Sequence, residues 1–457
     1  MDVERKSTDD YATACGRLPP EVELSSTRQT LAWQAQPLRL LQECAQRYGD
    51  AFTLNFGSHG SYVVFSSPAA IREIFGASNQ VLYAGRGNRI LEPLLGPQSL
   101  LLLEGRRHIR ERRLLLPGFH AQAIERYTGL IQRAACEVMT EAEANGHMRG
   151  EEVAVHGLMQ SIAVRVILQA VFGMRHGPRF EELSAQVQSV LNDSKLTLGL
   201  LDRLQTDLGS ATWQTFRRRL NRIDEILLEE VALRRGQGTS QADLLGILLG
   251  AVYDDGTELD DRALRDELMT LIVTGYETTA TALAWALYWL AREANALERV
   301  ITEIAPLGLT PAPDRLVQAK YLRAVCQETL RICPIIPIVA REVQAPIEIQ
   351  DFSLPAGVTV AAAIYLAHHR PDAFPEPEKF RPERFLQRPP SPFEFIPFGG
   401  GVRRCIGMTL ALSEMQVVLG SVLARYELAP RAVEVRPVRR FITLAPDGGA
   451  KLRLRTK

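Results

Sequence analysis

The stretch FEFIPFGGGVRRCIGM, residues 393–408, sets four glycines, two arginines and one cysteine between a hydrophobic run and a helix-forming segment. A cysteine in a folded chain usually behaves as a small buried hydrophobe. This loop is too rich in glycine to build a core around it. Three explanations are open: a structural thiol, a catalytic nucleophile or a metal ligand. After Gly407 the run MTLALSEMQVVLGSVLARY is strongly helical, which puts Cys405 at a helix N-terminus. The partial positive charge and free N–H groups there favour thiolate over thiol. A nucleophile would need a general base nearby, and no histidine stands close in sequence. The glycines let the backbone turn sharply and let a large flat ligand come close.

The rest of the chain narrows the field. It has 457 residues, 46% hydrophobic and 23% charged, with 53 basic and 53 acidic side chains. That is the profile of a globular protein with ample length for a large core. A net charge near zero provides no global attraction for nucleic acid or anionic lipid. No apolar run of signal-peptide or membrane-anchor length opens the chain, so the expectation is a cytoplasmic protein without a membrane anchor. The six cysteines are scattered with no CxxC pair, unlike a disulfide framework or a zinc site.

Hydrophobic periodicity gives a mainly α chain with small β-sheets. Pro37–Tyr48 reads as a helix, and DAFTLNFGSHGSYVVF as a β-hairpin about a Gly-Ser-His-Gly turn. From Pro68 to about Cys333 a 3.6-residue period dominates. Short strands return after Pro334, and RRFITLAPDGGAKLRLRT looks like one more hairpin. The expected organisation is a polar tail over 1–17, then a single large domain over 18–457 with α-rich and β-rich parts.

Phe398, Gly401, Arg403, Cys405 and Gly407 together form F-x-x-G-x-R-x-C-x-G. This pattern resembles the haem-binding signature of the cytochrome P-450 family, in which the cysteine thiolate ligates haem iron. Other segments resemble the family in the same order along the chain. EGRRHIRERRLLLPGF holds His108 and Arg112 four apart on one helix face, similar to the family's haem-carboxylate pair, with histidine where tryptophan is common. Arg341 and Arg403 match two further propionate partners. Glu328 and Arg331 in QETLRICP, with Arg384 in FRPERF, resemble the family's buried Glu-Arg-Arg cluster. In VTGYETTA, Glu277 and Thr278 resemble its acid–alcohol pair, which feeds protons to oxygen reduction in a dry pocket. A glycine inside that long helix reads either as a packing notch or as an oxygen groove, and with the Cys405 loop in the same chain the groove is the expected reading. Thr274 departs from the family, where alanine or glycine is usual.

The resemblance implies the cytochrome P-450 fold, haem b as cofactor with Cys405 as its metal ligand, and monooxygenation of a small molecule by dioxygen. Val273, Thr274, Ile336 and Ile338, with the tip near Phe441–Pro446, would line a pocket. Its mostly apolar character implies a hydrophobic substrate such as a terpenoid, fatty acid or polyketide. No strand-linked GxGxxG occurs, and no length remains for a flavin or nicotinamide domain. Electrons are therefore expected from a separate ferredoxin and ferredoxin reductase. Two rival readings are a peroxide-dependent peroxygenase, which the acid–alcohol pair argues against, and a non-enzymatic haem or lipid carrier.

Overall fold

The computed structural model describes residues 17–147, 152–174, 176–191, 211–237, 243–429, 434–440 and 442–457. Of the expected tail over 1–17 only Arg17 falls within them. Helices carry most of the chain, and the central one, Asp261–Arg292, organises the rest. Its start is fixed by Asp260, whose side chain accepts from the Ala263 N–H at 2.7 Å, and its last turn carries Arg292. It is buried on nearly every side, which is why its apolar pattern shows little one-sidedness. At 1.5 Å per residue its 32 residues span about 48 Å. The helices Val155–Phe172 and Met408–Arg425 pack against it within the largest hydrophobic cluster. Val155–Phe172 is the one helix among the described residues long and apolar enough to cross a membrane, and it is mostly buried in this core.

The β-rich part is a five-stranded sheet in the order β1-β2-β8-β5-β3. Its strands are β1 (Ala51–Asn55), β2 (Ser61–Phe65), β3 (Leu82–Tyr83), β5 (Val339–Val343) and β8 (Thr359–Ala362). The first two form the expected hairpin, Ala51 opposite Phe65 and Asn55 opposite Ser61. β2 pairs parallel with β8, and the other pairs are antiparallel. Alternation along β2 and β8 divides two small cores. Val63, Phe65, Val360 and Ala362 face one of them, and Val64 and Ala361 face the other.

The end of the chain departs from the single hairpin expected there. β10 (Pro437–Arg440) and β11 (Thr443–Pro446) form a hairpin of their own. β12 (Lys451–Leu452) pairs with β4 (Val153–Ala154), and β13 (Leu454–Thr456) with β9 (Tyr426–Leu428). Gly448, Gly449 and Ala450 all adopt positive φ, so the chain turns away from β11 instead of folding back on it.

Candidate cofactor site

The Cys405 loop is pressed against the end of the helix Pro68–Gly76. A Cβ on Gly401, which has φ +65°, would lie 2.3 Å from the Phe75 carbonyl oxygen. A Cβ on Gly400 would fall 2.1 Å from the Phe75 ring. These two positions require glycine. Against the protein Gly407 is less confined: its φ is −85° and a Cβ would meet Phe119 at an ordinary 3.7 Å. Within the loop the Cys405 N–H donates to the Phe398 carbonyl at 3.0 Å. Solvent reaches Cys405, yet protein surrounds it closely, the situation of an atom on the floor of a cleft. That burial raises its thiol pKa, opposed by the Gly407 N–H and by the charges of Arg112 and Arg404. Helix-terminal stabilisation alone is therefore outweighed, and a bound cation would be needed to complete the thiolate.

Around this cleft the structure gathers the basic residues read from the sequence. Arg112 donates to the Arg404 carbonyl at 2.7 Å, tying the helix Gly105–Leu115 to the loop. Arg403 reaches the Leu100 carbonyl at 3.1 Å, the Leu103 carbonyl, and the Glu104 carboxylate at 2.6 Å. Arg341, on β5, donates to its neighbour's carbonyl, Ala340, at 2.7 Å, its one side-chain hydrogen bond among the described residues. Burial first, and the nearby Arg403 charge second, bring its pKa down to about 10. His108 is buried with its Nδ1 unpartnered. Burial, then Arg403, Arg112 and Arg341, depress its pKa to about 3. Among these arginines His108 is a neutral hydrogen-bonding group. Glu104, the carboxylate bonded to Arg403, is a member of this group that the sequence reading missed. An orphaned ring nitrogen and an excess of buried positive charge fit a group with acidic substituents at its edge and a sulfur-loving metal at its centre. The haem of the resemblance satisfies both conditions.

The Glu328 cluster is a different kind of assembly. Arg331 meets Glu328 through two bonds of 2.8 Å, both side chains fully buried, and Arg384 adds a third at 3.1 Å. Arg331 also donates to the His368 carbonyl at 2.9 Å, and the Arg381 N–H to Glu328 at 2.8 Å. His368 Nε2 accepts from the Ile396 N–H at 2.9 Å, two residues before Phe398. The cluster therefore ties the helix Lys320–Ile332 to the segment that leads into the cysteine loop.

On the central helix the candidates divide. At Gly275 the helix Val155–Phe172 packs closely: a Cβ would sit 2.6 Å from Ile167 Cδ1, and the central helix runs past it unbroken. Thr274, half-buried, returns its hydroxyl to the Thr270 carbonyl at 2.7 Å, and Thr278 does the same to Thr274 at 2.6 Å. Glu277 points elsewhere. Its Oε2 accepts from Gln160 Nε2 at 2.7 Å and its Oε1 from the Thr281 hydroxyl at 3.4 Å. His156 and Arg440 stand 3.5 and 3.8 Å from the same Oε1. Burial raises the Glu277 pKa, against the pull of Gln160, Arg440 and Thr281. No hydrogen bond joins Glu277 to Thr278 among the described contacts, since neighbours on a helix point about 100° apart. His156, Gln160 and Arg440 carry no local sequence signal.

Of the pocket candidates, Val273 and Thr274 lie about three turns before Trp285 on the central helix. Val273 is buried and Ile336 and Ile338 are half-buried. The Leu444 N–H donates to the Ile335 carbonyl at 2.9 Å, and Trp285 Nε1 to the Leu444 carbonyl at 2.8 Å. Hence β11, the 335–338 segment and the central helix meet. Phe441 lies outside the described residues. On the outer face, Arg106 and Arg113 are exposed, whereas Arg110 is held by Asp255 at 2.7 Å and stacks on Tyr253.

Comparison with known proteins agrees with this geometry. A family model described as Cytochrome P450 matches residues 20–452. Cytochrome P450 135B1 of Mycobacterium bovis is 37% identical over 443 residues, covering 96% of this chain and 91% of its own. Cytochrome P450 135A1 of Mycobacterium tuberculosis is 34% identical over 448 residues, covering 96% and 95%. Among solved structures, retinoic acid-bound cyanobacterial CYP120A1 matches with a TM-score of 0.82, covering 97% of this chain and 100% of that one. At 24% identity that likeness speaks for the fold.

Proposed function

Because the chain belongs to the cytochrome P450 family, we propose that residues 18–457 form a haem b domain that hydroxylates or epoxidises a hydrophobic small molecule, with electrons from a ferredoxin and its reductase. The observation that carries this reading is the positive charge gathered beside Cys405: Arg112, Arg341 and Arg403 surround the unpartnered Nδ1 of His108, and among the described contacts Arg403 is the one of them bonded to a carboxylate. Arg112, Arg341, Arg403 and His108 would hold the cofactor's carboxylates, and Cys405 its iron. When bound, haem supplies a metal centre that activates dioxygen. Phe398 fixes the loop through its carbonyl, which accepts from the Cys405 N–H. Thr278 holds a hydroxyl beside Thr274, and Glu277 holds an exchangeable proton one position earlier. Val273, Thr274, Ile336 and Ile338 would exclude water around an apolar substrate. The basic outer face formed by Arg106, Arg113 and Arg404 supports an acidic electron donor such as a ferredoxin.

The test begins with ligation. The reduced carbonyl complex should show the red-shifted Soret band of a thiolate ligand. Cys405→Ala should lose it while Cys326→Ala keeps it; an unchanged band in Cys405→Ala would refute the assignment. Product formation should then require NAD(P)H, ferredoxin and reductase together. Turnover driven by peroxide alone would favour the peroxygenase reading.

A further inference from the structure

Glu277 sits at the end of a chain of hydrogen bonds whose direction is decided at its far end. Arg440, on β10, places Nη1 3.1 Å from His156 Nδ1. A guanidinium has donors and no acceptor, so Nδ1 must be the accepting nitrogen. The single proton of the neutral ring is then on Nε2, which lies 3.2 Å from Thr281 Oγ1 and 3.5 Å from Glu277 Oε1. With its oxygen accepting from His156, the Thr281 hydroxyl is free to donate to Glu277 Oε1. Gln160 donates to the other oxygen. The order is one-way: Arg440 to His156 to Thr281 to Glu277. His156 and Glu277 are both buried, and the Arg440 side chain is 32% exposed, so one end of the chain touches water.

Resting on the reading of Glu277 as the proton-bearing acid, we infer that His156, locked by Arg440 in its Nε2–H form, is the positioning residue that keeps Glu277 able to give up and regain its proton. The groups facing Glu277 are Gln160 and His156 from the helix Val155–Phe172, Thr281 from its own helix and Arg440 from β10. All of them donate. Burial by itself would trap Glu277 as a neutral acid, and this ring of donors opposes that. In the other tautomer a lone pair would face Thr281 and Glu277. The acid would then keep its proton and spend it on that nitrogen, away from Thr278. His156 stays neutral because burial, then Arg440, bring its pKa to about 3.

The measurement is nitrogen-15 NMR of histidine-labelled protein in the diamagnetic reduced carbonyl form, with His156 assigned through His156→Gln. Wild type should show His156 as the Nε2–H tautomer at pH 7, favoured about tenfold or more, as expected of a hydrogen bond from a charged donor. Arg440→Met should release the ring to a mixture and strengthen the infrared carboxylic-acid band that Glu277→Gln abolishes. Arg440→Lys, which keeps a charged donor, should restore both signals. In turnover, Arg440→Met and Thr281→Val should each lower product formed per NAD(P)H several-fold, although Thr281→Val leaves the tautomer as it was. An Nδ1–H or doubly protonated His156 in wild type, or an unchanged tautomer in Arg440→Met, would overturn the lock. A shifted tautomer with unchanged coupling would overturn the positioning role. Unchanged coupling in Glu277→Gln would instead remove the acid reading beneath it, and the tautomer result would separate the two failures.

Discussion

Two buried charge clusters lie close to the cysteine loop and are built to opposite plans. Around Glu328 two arginines, Arg331 and Arg384, share one carboxylate and complete their donors on backbone carbonyls, those of His368 and Lys379 finishing the Arg331 fork. Around His108 the pairing is looser: Arg403 bonds a carboxylate, Glu104, whereas Arg112 and Arg341 donate to backbone carbonyls and all three raise the positive charge at the ring. A cluster closed on itself serves the fold. A cluster left with excess charge, in a place where desolvation is costly, holds its residues ready for an anion that the polypeptide does not supply. On the proposed function, the contrast separates arginines that hold the fold from arginines that would hold the cofactor, without reference to a sequence pattern.

The comparison breaks most visibly at Arg331. Arg331→Met leaves Glu328 buried with Arg384 alone and should destabilise the fold by about 3–5 kcal/mol, read as a lower midpoint in chemical denaturation. The same loss at Arg341 would erase the distinction between the clusters.

Glu414 sharpens the contrast as a third case, a fully buried carboxyl with one oxygen unpartnered, whose pKa burial raises to about 8. Its folded pKa lies above its unfolded value, so the stability linked to its proton is complete below about pH 4.5 and is lost as pH rises toward 8. Glu414→Gln should flatten that decline, gaining on the order of 3 kcal/mol over wild type by pH 8 and almost nothing at pH 4.5. Parallel stability–pH curves for the two proteins would mean that the carboxyl finds a partner.

Arg341→Met should leave thermal unfolding of the haem-free protein unchanged or slightly improved, because it removes a poorly paired charge. Haem should then leave about tenfold faster to a scavenger such as apomyoglobin, the worth of one hydrogen bond from a charged donor. Loss of stability without loss of haem would move Arg341 into the structural class.

Thr274→Ala should have the smallest effect. Its hydroxyl is spent on its own helix, so stability should change by less than about 1 kcal/mol. A changed product distribution with a normal carbonyl spectrum would show that its bulk shapes the pocket; identical products across several substrates would show that it does not.

The sequence displayed the first layer of this site and concealed the second. Cys405, Arg403 and the glycines lie within ten residues, where a fixed spacing is a fixed geometry, and His108 and Arg112 are one helical turn apart. Gly400 and Gly401 were legible as a sharp turn, but their true constraint is Phe75, more than 300 residues earlier. Adjacent Glu277 and Thr278 read as one device, although the helix sends their side chains in different directions. The His156–Arg440 contact spans 284 positions and joins a helix to a hairpin, so no local window contains it. The terminal hairpin was misread because alternation marks a strand without identifying its partner, and β12 and β13 find theirs on β4 and β9.

The parallel pairing of β2 with β8 also sets a schedule for synthesis. Tyr62 to Phe65 pair with Thr359 to Ala362, and roughly 300 residues must be translated between them. At about 5–20 residues per second, the hairpin waits roughly 15–60 seconds with an open edge while the helical part is made. An unpaired edge of Val63, Val64 and Phe65 over that interval is a template for wrong partners. Slower translation, or depletion of chaperones, should therefore lower the yield of this chain before any step of its chemistry is affected.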